Sequence, residues 1–226
     1  MSADTFERHE LKYLLDSHQR RVMETVMNSR MRPDEHGEST VCNVYYDTPD
    51  FLLIRRSLEG GIYKEKIRMR SYGPAYGEDA VFLELKKKYD GVVYKRRISI
   101  PLSEAEEYMS SGSSMKQDGQ IVNEIDYFCS CYKDLCPAVH ISYDRSAFYS
   151  KEDPDLRITF DRNILWQTED CSLSALPFGQ SILRPGQSLM EIKAAHAIPL
   201  WLVSALSHAG IRQTSFSKYG RGVFCA

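Results

Sequence analysis

Residues Ile62 to Ile100 run IYKEKIRMRSYGPAYGEDAVFLELKKKYDGVVYKRRISI, and how this stretch pairs decides the fold. It divides into three strands. Lys66, Arg68 and Arg70 alternate with Glu65, Ile67 and Met69; Glu84, Lys86 and Lys88 alternate with Leu83, Leu85 and Lys87; Lys95 and Arg97 alternate with Tyr94, Arg96 and Ile98. Between the second and third strands stands Asp90-Gly91, a dipeptide suited to a tight hairpin because both residues accept positive φ. Side chains two apart in a strand share a face. One face therefore carries Lys66, Arg68, Arg70, Lys86, Lys88, Lys95 and Arg97, with Glu84 among them. A solvated face is the ordinary reading of any one such strand. Across three neighbouring strands, this many cations repel one another unless something anionic lies between them.

The same alternation recurs along the chain. Phe6 to Leu14 reads as a strand with Arg8, Glu10 and Lys12 on one face. A helix is expected from Ser17 to about Ser29, with Asp16 or Ser17 as cap and Val22, Met23, Val26 and Met27 as its apolar stripe. Pro33 to Ser39 reads as a loop and Thr40 to Asp47 as a strand. Thr48-Pro49 should open a short helix that Gly60-Gly61 ends. Ser103 and Glu106 have capping-box spacing, and a longer helix is expected over Gly119–Lys133. Later strands place Tyr143 with Arg145, Arg157 with Thr159 and Asp161, and Glu191 with Lys193. Asp170 to Gln187 reads as a loop. Pro199 opens a last helix that Gly210 stops, and Thr214 to Gly222 is the tail. No internal repeat or linker interrupts the pattern, so residues 1–226 are read as a single domain.

Gathered by parity, the charged faces hold about a dozen Lys and Arg residues and the carboxylates Glu10, Glu84, Asp161 and Glu191. The opposite faces are apolar (Leu11, Leu83, Leu85, Ile98, Ile100, Ile158, Phe160, Met190, Ile192). This inverts an ordinary sandwich, which buries apolar faces against each other. An α+β fold resolves it: an antiparallel β-barrel tunnel with a charged, wet lumen and amphipathic helices packed outside. A dry lumen would make so many cations prohibitively costly. Arg forks and Lys point charges are the usual phosphate ligands, and the length of the array suits a polyanion. Carboxylates left without a Lys or Arg partner would hold a divalent cation bridging phosphate oxygens.

Composition excludes several classes. Charged residues make up 27% of the 226 and hydrophobic residues 42%, a globular composition. The net charge of −2 argues against a nucleic-acid binder. There is no run of eighteen apolar residues, and the opening MSADTFERHE lacks the apolar core of a signal peptide, so a cytoplasmic chain without an intrinsic membrane segment is expected. The six cysteines (Cys42, Cys129, Cys131, Cys136, Cys171, Cys225) lack zinc-knuckle spacing and read as reduced, structural thiols. His9 and His140 fall on the faces away from the lumen, and Trp166 and Trp201 read as core.

Seven short motifs occur in order: Arg8-His9-Glu10-Leu11-Lys12-Tyr13, Arg68-Met69-Arg70, Glu84-Leu85-Lys86-Lys87-Lys88, Tyr94-Lys95-Arg96-Arg97, Tyr143-Asp144-Arg145, Glu191-Ile192-Lys193 and Phe216-Ser217-Lys218-Tyr219. Together, from about Phe6 to Val223, they resemble the polyphosphate polymerase (VTC) domain of the triphosphate tunnel metalloenzymes, the CYTH-like superfamily. The resemblance implies a metal-dependent phosphotransferase that moves the γ-phosphate of ATP onto inorganic polyphosphate, with Mn²⁺ or Mg²⁺. It implies Lys12, Arg68, Arg70, Lys86, Arg97, Arg145 and Lys218 as catalytic phosphate ligands. Glu10, Lys95, Tyr143, Arg157, Lys193 and Ser217 would be further substrate contacts, and Glu191 the metal ligand. Hydrolytic tunnel enzymes usually begin Glu-x-Glu-x-Lys; here Arg8 stands first, which favours phosphate over water as acceptor. The domain and membrane anchor that eukaryotic polymerases add have no counterpart in these motifs. A triphosphatase of the same fold and a non-catalytic polyphosphate-binding module are the competing readings.

Overall fold

The structure is a computed structural model that describes residues 9–90, 92–112 and 115–224; Arg8, Gly91 and Cys225 lie outside them. The chain orders its elements as β1 (His9–Leu15), α1 (Ser17–Met27), β2 (Met31–Asp47), α2 (Leu52–Leu58), β3 (Tyr63–Tyr72), β4 (Ala80–Tyr89), β5 (Val92–Pro101), α3 (Leu102–Ser111), α4 (Gln120–Cys131), β6 (Cys136–Ser150), β7 (Arg157–Gln167), β8 (Gln180–Ser181), β9 (Ser188–Ala194), α5 (Leu200–His208) and α6 (Lys218–Phe224). Among the described residues, nine strands follow the hydrogen-bonded order β1-β9-β7-β6-β2-β3-β4-β5, with β8 added to β7. The pairings β1–β9, β9–β7, β7–β8, β2–β3, β3–β4 and β4–β5 are antiparallel. Among the described residues, no helix is long and apolar enough to cross a membrane.

The chain gathers into two compact units. The first comprises Met1–Thr40, Tyr143–Ile164 and Leu183–Ser217. Its core joins Tyr13 and Leu15 of β1, Ile158 and Phe160 of β7, and Met190 and Ile192 of β9 to Met23 and Met27 of α1 and Leu202 and Leu206 of α5. Asp16 caps α1 in a reciprocal box: its carboxylate accepts from the Gln19 backbone N–H at 2.8 Å, and the Gln19 side chain accepts from the Asp16 N–H at 3.1 Å. Beside this box, Gln19 Nε2 donates to the Ala209 carbonyl at 3.2 Å, and Gly210, at φ +62°, turns the chain out of α5.

The second unit comprises Val41–Ser142, Leu165–Ile182 and Lys218–Ala226. Here Val44, Ile67, Met69, Val81, Leu83, Leu85 and Ile100 line one face of the sheet under Leu53 of α2, Ala105 and Tyr108 of α3, and Ile125 and Phe128 of α4. The Tyr108 hydroxyl donates to Asp126 at 2.7 Å, tying α3 to α4. Arg96, on the same face near its margin, meets Glu124 of α4 at 3.0 Å. In both units, then, alternate strand residues are apolar and lie under helices, which is the expected parity.

Four local expectations are corrected. The predicted loop Pro33–Ser39 is strand, part of the 17-residue β2; pairing with distant segments overrides what Pro33 and Gly37 prefer locally. Helix α2 starts at Leu52, three residues beyond Pro49, after Phe51 at φ +58°. Ser103 and Glu106 form no capping box, because α3 starts at Leu102 and Ser103 is already in its first turn; the Ser103 hydroxyl donates to Glu78 instead. The helix opened by Pro199 is not the last: the tail contains α6, despite Gly220 and Gly222. Gly222 packs closely there: a Cβ on it would lie 3.2 Å from the Cβ of Trp166, tighter than ordinary van der Waals contact. The described cysteines are free thiols. His9 is exposed, whereas His140 is fully buried, and burial lowers its pKa.

The caps make a discriminating pair. Asp16→Ala should lower unfolding free energy by about 1 kcal/mol, while Ser103→Ala should change it by less than about 0.5 kcal/mol. Urea denaturation of the two variants checks this, and equal losses would contradict the assignment of the caps.

Candidate functional site

The polar faces of the strands carry two clusters, one in each unit. In the second unit, register places Tyr45, Arg68, Glu84 and Arg97 in one row across β2, β3, β4 and β5. The adjacent row towards one strand end is Lys66, Lys86 and Lys95, and towards the other Asn43, Arg70, Phe82 and Ser99. The sequence-predicted ligands Arg68, Arg70, Lys86, Lys95 and Arg97 are thus brought together.

Glu84, 1% exposed, is the carboxylate at the centre of these rows. Its Oε2 accepts from Arg68 Nε at 2.9 Å and Nη2 at 2.7 Å, Lys95 Nζ lies 2.6 Å from Oε1, and Arg70 Nη1 is 3.9 Å away. Burial pushes the Glu84 carboxyl up, but Arg68, Arg70 and Lys95 outweigh it and hold it at about 2. The guanidinium groups are positioned further. Arg68 Nη1 donates to the Tyr45 hydroxyl at 2.7 Å, and Arg70 Nε donates to Asn43 Oδ1 at 2.9 Å. Asn43 is itself fixed by donating to the Ile141 carbonyl at 3.0 Å. Arg97 lies over the Phe82 ring at 4.5 Å.

Helix α6 joins this cluster through Tyr219. Its ring stacks on Tyr45 with centroids 4.7 Å apart, Lys66 Nζ lies 5.8 Å from its centroid, and its hydroxyl donates to Asp47 Oδ2 at 2.7 Å. Burial and the Asp47 hydrogen bond push the Tyr219 hydroxyl up, so it remains a donor. Asp47 also accepts the backbone N–H groups of Leu53 and Ile54, the first turn of α2. Lys218, the first residue of α6, is held beside the anchored Tyr219.

In the first unit, register aligns Lys12, Glu191 and Thr159 across β1, β9 and β7, with Glu10, Lys193 and Arg157 in the next row. Arg145 of β6 forms a fork onto Asp161, Nε to Oδ1 at 2.6 Å and Nη2 to Oδ2 at 2.7 Å, and its Nη2 lies 3.6 Å from Glu191 Oε2. Burial alone would lower the Arg145 pKa; the Tyr143 ring beside it, Asp161 and Glu191 raise it instead, so the group stays charged. Lys12 Nζ is 3.5 Å from Glu10 and 4.0 Å from Glu191, and donates to the Phe216 carbonyl at 3.0 Å. Arg157 meets Asp34 at 3.4 Å and covers the Tyr149 ring at 4.8 Å. Ser217, half-buried, follows Phe216. Carboxylates therefore balance cations closely here, whereas in the second unit cations prevail.

Among the described residues, no three His, Cys, Asp or Glu side chains gather into a metal cage. Glu191, 5% exposed and flanked by Lys12 and Arg145, offers a single carboxylate, with Glu10 beyond Lys12. That carboxylate is already paired with two cations, so a divalent ion there would compete with Lys12 and Arg145 and take its remaining positions from phosphate oxygens, a mode Mg²⁺ favours. Sequence reasoning missed Asn43, Tyr45, Asp47, Phe82 and Tyr219. The parity of β2 could have found Asn43 and Tyr45; nothing local signals that Asp47 meets two helices.

Comparison with known proteins follows the same lines. A family profile described as the VTC domain matches residues 7–226. Vacuolar transporter chaperone complex subunit 4 of Trypanosoma cruzi is 26% identical over 227 residues, covering 82% of this chain and 28% of that protein. The subunit 4 of Trypanosoma brucei brucei is 27% identical over 165 residues, 60% of this chain and 21% of that protein. The chain thus spans less than a third of the length of these relatives. In fold it is similar to an inferred adenylate cyclase of Bacillus halodurans, with a TM-score of 0.60 at 14% identity over 96% of this chain and 99% of that one.

Glu84 yields a pH-dependent prediction. Its folded pKa, about 2, lies below the ordinary 4.5, so its stabilisation is fully present above pH 4.5 and is lost as pH falls towards 2. Glu84→Gln should cost about 2–3 kcal/mol at neutral pH, below the full value for breaking a buried pair because the partners are partly solvated. It should also flatten the acid limb of the stability–pH curve. Denaturation from pH 7 to 3 measures both, and an unaltered acid limb would remove Glu84 from its central role.

Proposed function

The chain belongs to the VTC-domain family, and on that premise we propose that it is a polyphosphate polymerase that transfers the γ-phosphoryl group of ATP to inorganic polyphosphate. The observation that carries this reading is the cationic face of β3, β4 and β5, where Arg68, Arg70, Lys86, Lys95 and Arg97 stand in adjacent register positions around one carboxylate. Such a face suits a ligand with regularly spaced negative charges better than one carrying a single carboxylate. Closure of the sheet into a tunnel, expected from the sequence, belongs to the same proposal.

The chemistry needs no nucleophilic side chain. A terminal oxygen of the polyphosphate chain attacks the γ-phosphorus, the bond from that phosphorus to the β–γ bridging oxygen breaks, and ADP leaves with the electron pair. The chain grows by one phosphate. Catalysis of phosphoryl transfer is mainly positioning and neutralisation of charge on the equatorial oxygens. Arg68 and Arg70 are suited to this because Glu84, Tyr45 and Asn43 fix their guanidinium planes before any ligand arrives. Lys218, on α6, is positioned through the Tyr219–Asp47 hydrogen bond. Arg145 is held by Asp161 in the same manner. Glu191, with Glu10 near it, would hold Mn²⁺ or Mg²⁺, which supplies charge neutralisation on phosphate oxygens when bound.

Incubation with ATP and Mn²⁺ or Mg²⁺, followed by separation of long chains from free phosphate, tests the reading. Long chains and ADP are expected. Free phosphate without chains would instead identify a triphosphatase, and tight polyphosphate binding without turnover a binding module. Arg70→Ala and Lys218→Ala should each lower turnover by on the order of a hundred- to a thousand-fold while the protein remains folded. Glu191→Gln should abolish metal-dependent turnover and spare metal-free binding of tripolyphosphate; an unchanged Mn²⁺ dependence would remove Glu191 as the metal ligand.

A further inference from the structure

Thr159 occupies a position for which its own strand offers no explanation. In β7, Ile158 and Phe160 enter the core of the first unit, so Thr159 stands on the opposite face with Arg157 and Asp161. It is directly opposite Glu191 in the β7–β9 ladder, and Glu191 is opposite Lys12 in the β1–β9 ladder. Lys12, Glu191 and Thr159 therefore form one row on the charged face. Directly opposed residues of antiparallel strands have Cβ atoms roughly 5 Å apart, so Glu191 lies beside both Thr159 and Lys12, which stand about 10 Å apart across it.

The neighbours in that row are engaged. Lys12 donates to the Phe216 carbonyl, Glu191 contacts Arg145 and Lys12, and Asp161 accepts both arms of Arg145. The Thr159 hydroxyl is not: the residue is 2% exposed, and its Oγ1 has no hydrogen-bond partner among the described residues. A buried hydroxyl without a partner is a net cost to folding. Valine has the same shape, favours strands equally and carries no such cost. A polar group held under these conditions, opposite a carboxylate that Lys12 and Arg145 flank, has its natural partner in something that enters the row.

We propose that Thr159 is a phosphate-binding residue, its hydroxyl donating a hydrogen bond to a phosphate oxygen held on this face by Lys12 and Arg145. The inference rests on the polyphosphate reading and adds to it a neutral donor on β7 beside Glu191. A neutral donor has a specific use there. Glu191 repels an approaching anion, and a hydroxyl next to it supplies a hydrogen bond without adding another cation to neutralise the carboxylate.

The test uses Thr159→Val and Thr159→Ser, with tripolyphosphate as probe in the absence of metal. Two quantities are read: the melting temperature of each protein alone, and its tripolyphosphate dissociation constant by calorimetry. Thr159→Val should melt at or above the wild-type temperature, because an apolar group of the same shape replaces a hydroxyl that has no partner among the described residues. Its affinity for tripolyphosphate should fall roughly ten- to a hundredfold, the value of a hydrogen bond to a charged group. Thr159→Ser should return affinity to within about threefold of wild type, since it restores the donor. Wild-type affinity in Thr159→Val overturns the inference and leaves the polyphosphate reading standing; that outcome corresponds to a hydroxyl that meets buried water. A lower melting temperature in Thr159→Val with unchanged affinity assigns the residue to packing and overturns it equally. Failure of the wild-type protein to bind tripolyphosphate overturns both readings together.

Discussion

Directly opposed residues on neighbouring strands have Cβ atoms roughly 5 Å apart, so cations at such positions are held close enough that their mutual repulsion must be met. Much of this structure follows from how each unit meets it. On β3, β4 and β5 a single buried carboxylate, Glu84, lies among Arg68, Arg70 and Lys95 and draws them inward. Around Arg145 the compensation is more complete, with Asp161 taking the guanidinium fork and Glu191 close by. The first arrangement retains an excess of positive charge fixed in place; the second is nearly balanced and needs less from a ligand.

Such faces are possible because the other side of each strand provides the apolar burial that folding requires. Residues one position away from the cations (Ile67, Met69, Leu83, Leu85 in one unit; Ile158, Phe160, Met190, Ile192 in the other) are wholly or almost wholly buried under helices. A register slip of one residue would exchange the two faces, placing cations in the core and leucines among the charges. The apolar faces thus hold the register on which the geometry of the polar faces depends. Hydrogen bonds then refine it: Tyr45 and Asn43 fix the two arginines of β3, and Asp47 links the first turn of α2 to Tyr219 of α6. Lys218 is thereby tied to a buried carboxylate more than a hundred residues away in sequence.

The alternation of charged and apolar residues was legible in the sequence because a period of two needs no partner to be recognised. It placed Lys66, Arg68, Arg70, Glu84, Lys86, Lys95 and Arg97 on one face, and β9 falls within its expected bounds. The α1 cap was legible to within one residue, Asp16 or Ser17, for a similar reason, since cap and helix are contiguous; the structure chose Asp16. Local chemistry failed where the deciding partner lies elsewhere. Pro33 and Gly37 argue for a loop, yet that stretch is strand, and Gly220 and Gly222 argue against a helix that forms over Trp166. The capping-box spacing at Ser103 was present without its consequence, because the helix begins one residue earlier.

What the sequence by itself determined, then, is which side chains share a face and what chemistry that face can hold, since strand parity is a property of the backbone alone. The tertiary structure decided which charges neutralise one another. Glu84 could have served a metal, a phosphate-facing role or an ion pair on parity alone; its place opposite Arg68 and Arg97 makes it the counter-charge of three cations. Glu191 has Lys12 and Arg145 beside it, Arg157 turns to Asp34, and Thr159 lies buried with its hydroxyl unmatched among the described residues. Coulomb and hydrogen-bond energies fall steeply with distance and angle, so residues on the same face become partners or bystanders through ångström-scale differences that only the packed register sets.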